Sequence, residues 1–165
     1  MNMPSTTDIR FFGKYRGVVD NTLDPTKSGK LQVTVADVHG KIAVWAAPCV
    51  PYAANGLGFF FIPPKGTAVW VEFEAGDRAR PIWTGFSWQE GQAPSALVDD
   101  MVLATPSGTI RFHAQKPGGE IVIETPGGLS LVLRDGAVTL TASGGATVEM
   151  QAGKTAINGA ALEVM

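Results

Sequence analysis

The stretch of sequence that decides the fold lies between residues 120 and 141 and reads EIVIETPGGLSLVLRDGAVTLT. Large apolar side chains recur at every second position, as at Ile121 and Ile123, and Gly127–Gly128 and Asp135–Gly136 interrupt the runs. Recurrence with a period of two predicts β-strands with one apolar face, and such glycine-containing pairs are typical of turns. The stretch therefore predicts three short strands joined by tight turns.

The same pattern continues in both directions, from residue 101 to residue 165. Turn glycines recur at Gly108, Gly119, Gly128, Gly136, Gly145, Gly153 and Gly159, and most steps between them are eight or nine residues long. Each step fits one short strand and one turn, so the segment is a repeat of strands. The apolar residues predicted to face inward, towards the axis of a trimer, are Ile110, Phe112, Ile121, Ile123, Leu129, Leu131, Leu133, Val138, Leu140, Val148, Met150 and Ile157.

Such strands need a cover, because a lone meander leaves its apolar face in water. Burial stabilises by about 25 cal/mol per Å² of apolar area, which amounts to several kcal/mol per strand. Three chains that wind together bury these side chains on a common axis, and each chain then supplies one face of a prism. A simple meander packed on the preceding domain is the alternative, whereas a single-chain solenoid needs longer coils. We expect the three-chain arrangement.

Residues before position 90 have a different composition. All four tryptophans, both tyrosines and seven of the eight phenylalanines lie there. Large aromatic side chains fill the interior of compact barrels and sandwiches, so we expect residues 10–88 to form a β-domain with an aromatic core. Residues 1–9 then form an N-terminal arm, residues 89–100 a polar linker, and residues 101–165 the repeating segment. The whole chain is predicted to be β-structure, since no clean helical stripe occurs.

Composition and charge exclude several classes of function. The chain has 13 basic and 15 acidic residues, a net charge of −2, which argues against duplex DNA or an anionic membrane as partner. A single cysteine excludes an intrachain disulfide framework and a cysteine-cluster zinc site. No apolar run approaches the roughly 20 residues of a membrane-spanning helix. The polar N-terminus is no secretory signal, so we expect synthesis in the cytoplasm.

Individual reactive residues have structural explanations. Cys49 lies in an apolar stretch and is predicted to be a buried small residue. His39 precedes a glycine in a predicted solvated turn, and His113 is placed outward by its alternation with Phe112. We therefore predict no catalytic residue, no metal site and no cofactor.

Three acidic or charged groups are also interpreted as structural. Glu72 and Glu74 share one face of a predicted strand and are expected to be solvated rather than an acid/base pair. The charged segment Asp77–Arg80 predicts an exposed loop, and docking of this loop to the hub is the less favoured alternative. Asp99–Asp100 is interpreted as a polar connector rather than a cation site on the trimer axis.

An ordered set of motifs in the first part of the chain carries a family resemblance. These motifs are Tyr15–Asn21 (YRGVVDN), Ser28–Val35 (SGKLQVTV), Val38–Gly40 (VHG), Trp45–Pro51 (WAAPCVP), Gly58–Gly66 (GFFFIPPKG), Val69–Phe73 (VWVEF), Gly76–Asp77 (GD) and Pro81–Gly85 (PIWTG). Over residues 10–88 the chain resembles the OB-fold domain of contractile-tail spike proteins, namely the phage baseplate spike (baseplate assembly protein V) and the VgrG proteins of type VI secretion. From Thr105–Gly108 onward it resembles the trimeric β-helix of that family.

The resemblance implies an all-β protein with an N-terminal OB-fold barrel followed by an intertwined triple-stranded β-helix, assembled as a homotrimer. It implies a structural role as the central spike of a contractile injection machine, a membrane-piercing needle that joins the tail hub to the tip. The spike would be part of a virion tail baseplate or a secreted contractile particle, and it would contact the target-cell envelope during injection. Nucleic acid is not an expected partner.

Departures from the family pattern shape the expected partners. Only about nine residues precede the barrel, so the hub module of VgrG proteins is expected to be a separate protein at the OB-fold end. About twelve residues separate the barrel from the repeat, which is too few for a lysozyme domain. No histidine lies near the end of the chain, so the resemblance implies a separate PAAR-type tip protein that contacts Leu162, Val164 and Met165.

One alternative comes from a different class of function. OB folds often bind single-stranded nucleic acid or sugars, so the chain could be a monomeric module that binds oligosaccharide or single strands. That hypothesis predicts a monomer. No set of catalytic residues supports an enzymatic function, since the sequence contains no Ser/His/Asp or Cys/His spacing typical of such a set.

Overall fold

The structure is a computed structural model that describes residues 9–95, 100–159 and 161–164. The chain divides into two compact units, Met1–Gly91 and Gln92–Met165. The first unit contains β1 (Tyr15–Asn21), β2 (Leu31–Thr34), α1 (Ala36–His39), β3 (Ala43–Pro48), β4 (Ala53–Ala54), β5 (Leu57–Gly58), β6 (Ala68–Phe73), a 3-10 turn (Glu74–Gly76) and β7 (Pro81–Phe86). The second contains β8 (Asp100–Thr105), β9 (Gly108–His113), β10 (Glu120–Glu124), β11 (Ser130–Arg134), β12 (Ala137–Thr141), β13 (Thr147–Gln151), β14 (Lys154–Ile157) and β15 (Leu162–Val164).

Five strands of the first unit close into a barrel in the order β1-β2-β3-β7-β6. Neighbouring strands are antiparallel except β3 and β7, which pair in parallel. Period-two alternation sends every second residue of β2 and β6 inward, because successive side chains of a strand point to opposite faces. The barrel core consists of Val19, Leu31, Val33, Val35, Ala46, Val69, Val71, Phe73 and Trp83.

The aromatic residues of the first unit correct the expectation of an aromatic core. Among the described residues, Phe73 and Trp83 are the aromatic members of the buried core, which is otherwise aliphatic, and the partly buried Phe11 and Tyr15 pack against it. Tyr52, Phe59–Phe61 and Trp88 are exposed. The physical reason is that the interior of a small barrel is filled by the inward residues of its strands. These residues lie in the connections before and after those strands, and Phe86, the last residue of β7, is exposed as well.

Two short helical turns depart from the prediction that the whole chain is β-structure. Helix α1 follows β2 directly, and the amides of His39 and Gly40 donate to the carbonyl oxygens of Val35 and Ala36 at 2.8 and 3.0 Å. A 3-10 turn, Glu74–Gly76, bridges β6 and β7. Elements of three or four residues are too short to show a helical stripe, so periodicity does not detect them.

The second unit is one eight-stranded antiparallel sheet in which β8 to β15 follow each other in sequence order. Each strand pairs with its neighbours in sequence, and the edge strands β8 and β15 have one partner each among the described strands, so the sheet is a meander. Its first strand begins at Asp100, the last residue assigned to the predicted linker. The winding of three such sheets into a β-helix stays a prediction.

Candidate interaction surfaces

One face of the sheet is built from two ladders of apolar side chains. Residues directly opposite each other in neighbouring antiparallel strands share a face, with Cβ atoms about 5 Å apart. The first ladder runs through Leu103, Ile110, Ile123, Leu131, Leu140, Val148, Ile157 and Leu162. The second runs through Met101, Phe112, Ile121, Leu133, Val138, Met150 and Thr155, with Val164 at the register position opposite Thr155. We call the surface formed by both ladders the apolar face.

The apolar face is largely uncovered within one chain. Ten of its side chains are exposed, with exposed fractions from 36% at Ile121 to 59% at Met101. The other described side chains of the two ladders are partly buried, namely Ile110, Leu131, Val138, Val148 and Thr155. A monomeric soluble protein rarely exposes a contiguous apolar surface of such extent, and larger patches mark interaction sites. The arrangement therefore presents a binding surface that runs over all eight strands.

The structure brings together the residues that the sequence predicted to face an axis. Eleven of these twelve residues lie in the two ladders, and Leu129 joins them at the edge of the apolar face. There it lines a hollow of about 190 Å³ together with Leu140, Val148 and Ile157. Sequence reasoning missed Met101 and Leu103, which belong to the same face. Their spacing of two residues was the available signal, but their position beside the predicted linker obscured it.

The opposite face of the sheet is mainly polar. Arg111, Thr139 and Glu149 occupy central positions of this face, and Val122 and Ala156 beside them are buried. The hydroxyl oxygen of Thr139 is a buried atom without a hydrogen-bond partner among the described residues. The sheet thus separates an apolar face from a polar one, as strict alternation along each strand requires.

A charged cluster lies on the polar face at the start of the sheet. The Asp100 carboxylate accepts hydrogen bonds from the Ser95 hydroxyl at 2.9 Å and from the Arg111 guanidinium at 2.9 Å, and His113 Nδ1 lies 3.1 Å from its second oxygen. The Ser95 hydroxyl foremost, with Arg111 and His113, holds the pKa of Asp100 below its usual value despite desolvation. Asp100 is thus a structural anchor on the face opposite the apolar ladders.

A second carboxylate, Glu120, is paired on the same face. It forms an ion pair with Lys116, and this hydrogen bond is the main reason why the pKa of Glu120 is lowered. His113 faces Glu120 in the next strand as well as Asp100 in the previous one. Asp99 lies outside the described residues. Among the described residues, no group of three or more His, Cys, Asp or Glu side chains is arranged to hold a metal ion.

The barrel carries an aromatic groove of about 460 Å³. Its walls are the loop Lys27–Gly29, the hairpin of β4 and β5, and the segment Phe59–Ile62. Trp83 lies at its base and donates from Nε1 to the Gly29 carbonyl oxygen at 3.1 Å. Among the residues described as lining the groove, Lys27 is the one charged side chain. A groove that binds single strands combines aromatic side chains with a basic surface, and this groove has little basic charge.

Two residues of the barrel correct sequence-based predictions. Cys49 is exposed rather than buried, because it follows the last residue of β3 and its amide donates to the Trp83 carbonyl at 2.9 Å outside the strand alternation. His39 is not simply solvated. Its Nε2 lies 2.9 Å from the Arg78 carbonyl oxygen and its ring packs on Phe73 at 5.6 Å between centroids.

The two barrel carboxylates that the sequence predicted to be solvated belong to two separate ion pairs. Glu72 on β6 accepts a hydrogen bond from Lys14 at 2.7 Å. Glu74 is paired with Arg80 in the turn between β6 and β7. Exposed pairs of this kind contribute little to stability, about 0–1 kcal/mol each. Each carboxylate therefore has a local structural partner.

Comparison with known protein families gives two matches. Residues 15–88 match the family described as the type VI secretion system/phage-baseplate injector OB domain. Residues 100–163 match the family described as the phage baseplate V C-terminal trimerisation domain. The chain belongs to the phage baseplate V family. The resemblance to contractile-tail spike proteins is thereby confirmed, as is the all-β fold with an N-terminal OB barrel.

Membership in the phage baseplate V family also informs the assembly. The C-terminal domain supports a homotrimer, because its family is defined by trimerisation. The family descriptions name a structural component of a baseplate or injector, and neither names an enzymatic activity. No curated protein matches the chain. None of the helices in the described part of the chain is long and apolar enough to cross a membrane.

Proposed function

We propose that this phage baseplate V protein is the trimeric central spike of a contractile injection machine. The barrel is its adaptor to a separate hub protein, and the C-terminal sheet is its shaft. Sheath contraction drives the spike through the target envelope, so its task is mechanical and requires no catalysis and no cofactor. The particle is a virion tail baseplate or a related secreted particle, assembled after synthesis in the cytoplasm.

The observation that carries the proposal is the uncovered apolar face. Full burial of one large aliphatic side chain stabilises by about 1.5–3 kcal/mol, so the exposed part of each exposed ladder residue accounts for about 1 kcal/mol. Three copies of the face that meet around one axis bury all of these side chains together. The trimer-axis residues are then the eleven predicted ladder residues and Leu129, with Met101 and Leu103 at the barrel-proximal end.

The polar face supports the same role. It carries Thr139, Glu149 and the ion-paired Asp100, Arg111 and Glu120, and it forms the outer surface when the apolar faces meet inside. In a closed prism, each sheet packs against the other two sheets. Unfolding one chain then requires the other two chains to separate, which gives the kinetic stability that a needle needs.

The two ends of the chain are assigned to different partners in this proposal. The hub protein binds at the barrel, and a PAAR-type tip protein binds at the end of the sheet. Leu162 in β15 is 54% exposed and Val164 follows it in the same strand. Met165 lies outside the described residues. The match to a trimerisation domain favours this spike over the alternative of a monomeric module for oligosaccharide or single strands.

The test is the native mass by light scattering after size exclusion. We expect a mass near three times 17.3 kDa. On SDS gels, we expect a band that resists SDS until the sample is boiled. A clean monomer of one chain mass would contradict the trimeric spike. Addition of a purified PAAR-type protein to the trimer then tests the tip assignment. A Leu162→Asp variant should no longer bind, and its trimer mass is checked first, because Leu162 also belongs to the first ladder.

A further inference from the structure

The barrel exposes a second apolar surface that the shaft does not explain. We call it the aromatic patch, and it consists of five exposed residues that line the groove, namely Tyr52, Leu57, Phe59, Phe60 and Phe61. Phe60 is 75% exposed and Leu57 is 64% exposed. Isolated exposed apolar residues are ordinary, but five large ones within ten positions form a contiguous surface that calls for a partner.

The aromatic patch is held in place by local structure. The Phe59 amide donates to the Tyr52 carbonyl oxygen at 3.0 Å and closes the hairpin of β4 and β5. Gly58 permits this closure, since a Cβ atom there would lie 2.6 Å from that same oxygen. The rings of Phe59 and Phe61 are in contact at 6.2 Å between centroids. The patch is therefore a positioned surface.

The charge of the groove and the connection between the two units favour a second copy of this chain as the partner of the aromatic patch. Lys27 is the one charged side chain among the described residues of the groove, so the surface fits an apolar partner rather than phosphate or a lipid headgroup. The last barrel strand ends at Phe86 and the trimerisation domain begins at Asp100. The thirteen residues between them span no more than about 50 Å when fully extended. In a trimer, three barrels are thus tethered at an effective concentration on the order of millimolar.

We propose that the aromatic patch of each barrel packs against the barrel of a second copy of this chain within the trimer. A threefold assembly joins each subunit to its neighbours through repeated equivalent contacts. Each of the three patches is therefore covered once, by the barrel of a neighbouring subunit. This contact continues the interface of the trimerisation domain into the first unit. The inference rests on the proposed homotrimer, and it assigns the barrels to trimer formation as well as to the hub.

Thiol labelling of the full-length trimer tests the contact. In a Cys49→Ser background, which removes the exposed native thiol, Phe60→Cys and Leu57→Cys each place a thiol in the patch. Lys41→Cys is the matched control on the same barrel, because Lys41 is exposed and does not line the groove. Each purified variant is first checked for trimer mass by light scattering, and maleimide labelling is then followed by mass spectrometry under native conditions.

We expect the two patch thiols to react at least about tenfold more slowly than the control thiol in the trimer, because labelling then requires a local opening. In denaturant all three should react at equal rates. Equal labelling rates of the three thiols in a native trimer would overturn the contact between barrels. The proposed spike would then stand, and the patch would be available to a different protein. If the Cys49→Ser parent is a monomer, the proposed spike itself fails, and the contact fails with it.

Discussion

A single carboxylate on the apolar face provides the sharpest test of the shaft. Leu140 lies in the first ladder between Leu131 and Val148 and is 43% exposed in one chain. Leu140→Asp leaves the strand pairing of a single chain largely intact, because the side chain points away from the polar face. In a trimer, however, three carboxylates enter one apolar axis, and each uncompensated buried charge costs several kcal/mol.

The expected magnitude follows from these numbers. Three such charges destabilise the trimer by on the order of 10 kcal/mol, which corresponds to roughly seven orders of magnitude in the assembly equilibrium. Because three chains associate, the concentration needed for half-assembly rises with the square root of that factor, by about 3,000-fold. We therefore expect Leu140→Asp to be monomeric or aggregated in light scattering, and to lose the SDS-resistant band.

The control is the neighbouring residue in the same strand. Thr141 follows Leu140 in β12, points to the polar face and lies opposite Ser130 and Thr147. Thr141→Asp introduces the same charge without placing it on the axis, so we expect it to keep the trimer mass. A heat-resistant trimer of Leu140→Asp would refute the axial assignment. Equal loss of assembly in both variants would also refute it, since the effect would then not depend on the face.

Three further predictions concern local structure. The Asp24 carboxylate accepts hydrogen bonds from the Thr26, Ser28 and Lys30 amides, so Asp24→Asn should lower the thermal midpoint of the barrel and speed proteolysis of this loop. Because the pKa of Asp100 is lowered in the folded state, its contribution to stability is present at neutral pH and is lost as pH falls below about 4. In denaturant titrations, Asp100→Asn should therefore lower the free energy of unfolding more at pH 7 than at pH 3. An equal effect at both pH values would contradict the pairing. Gly58→Ala should destabilise the hairpin by about 1–3 kcal/mol, because Gly58 has a φ of 144°; unchanged hydrogen-exchange protection of the Phe59 amide would show that the strain is relieved.

The sequence predicted the two faces of the shaft because alternation along a strand is a local property. Ile121 and Ile123 share a face in any strand, whatever surrounds them, and the glycine-containing turns limit each strand to a few residues. The same reasoning placed His113 on the face opposite Phe112, where it lies beside Asp100. The OB barrel was predicted through an ordered set of motifs rather than through periodicity, and the family comparison confirmed it.

Residues in connections were predicted less well than residues in strands. Cys49 and Phe59–Phe61 have the composition of core residues, but they lie beyond the strand ends and are exposed. His39 lies in a turn, yet its ring contacts Phe73 and its Nε2 contacts a carbonyl oxygen 39 positions away in the chain. Exposure in a connection depends on where the chain returns after the barrel closes, and a single local window does not contain that information.

Sequence alone therefore determined that the second half has one apolar and one polar face, since that depends only on the order of residues within each strand. Only the tertiary structure decided that the apolar residues align in two ladders across eight strands, because alignment depends on the register of every strand pair. It likewise decided that seven aliphatic residues together with Phe73 and Trp83 form the barrel core, while Phe60 and its neighbours remain on the surface. The interior of a small closed barrel is filled mainly by the inward residues of its strands, so most of the other aromatic side chains lie outside the buried core.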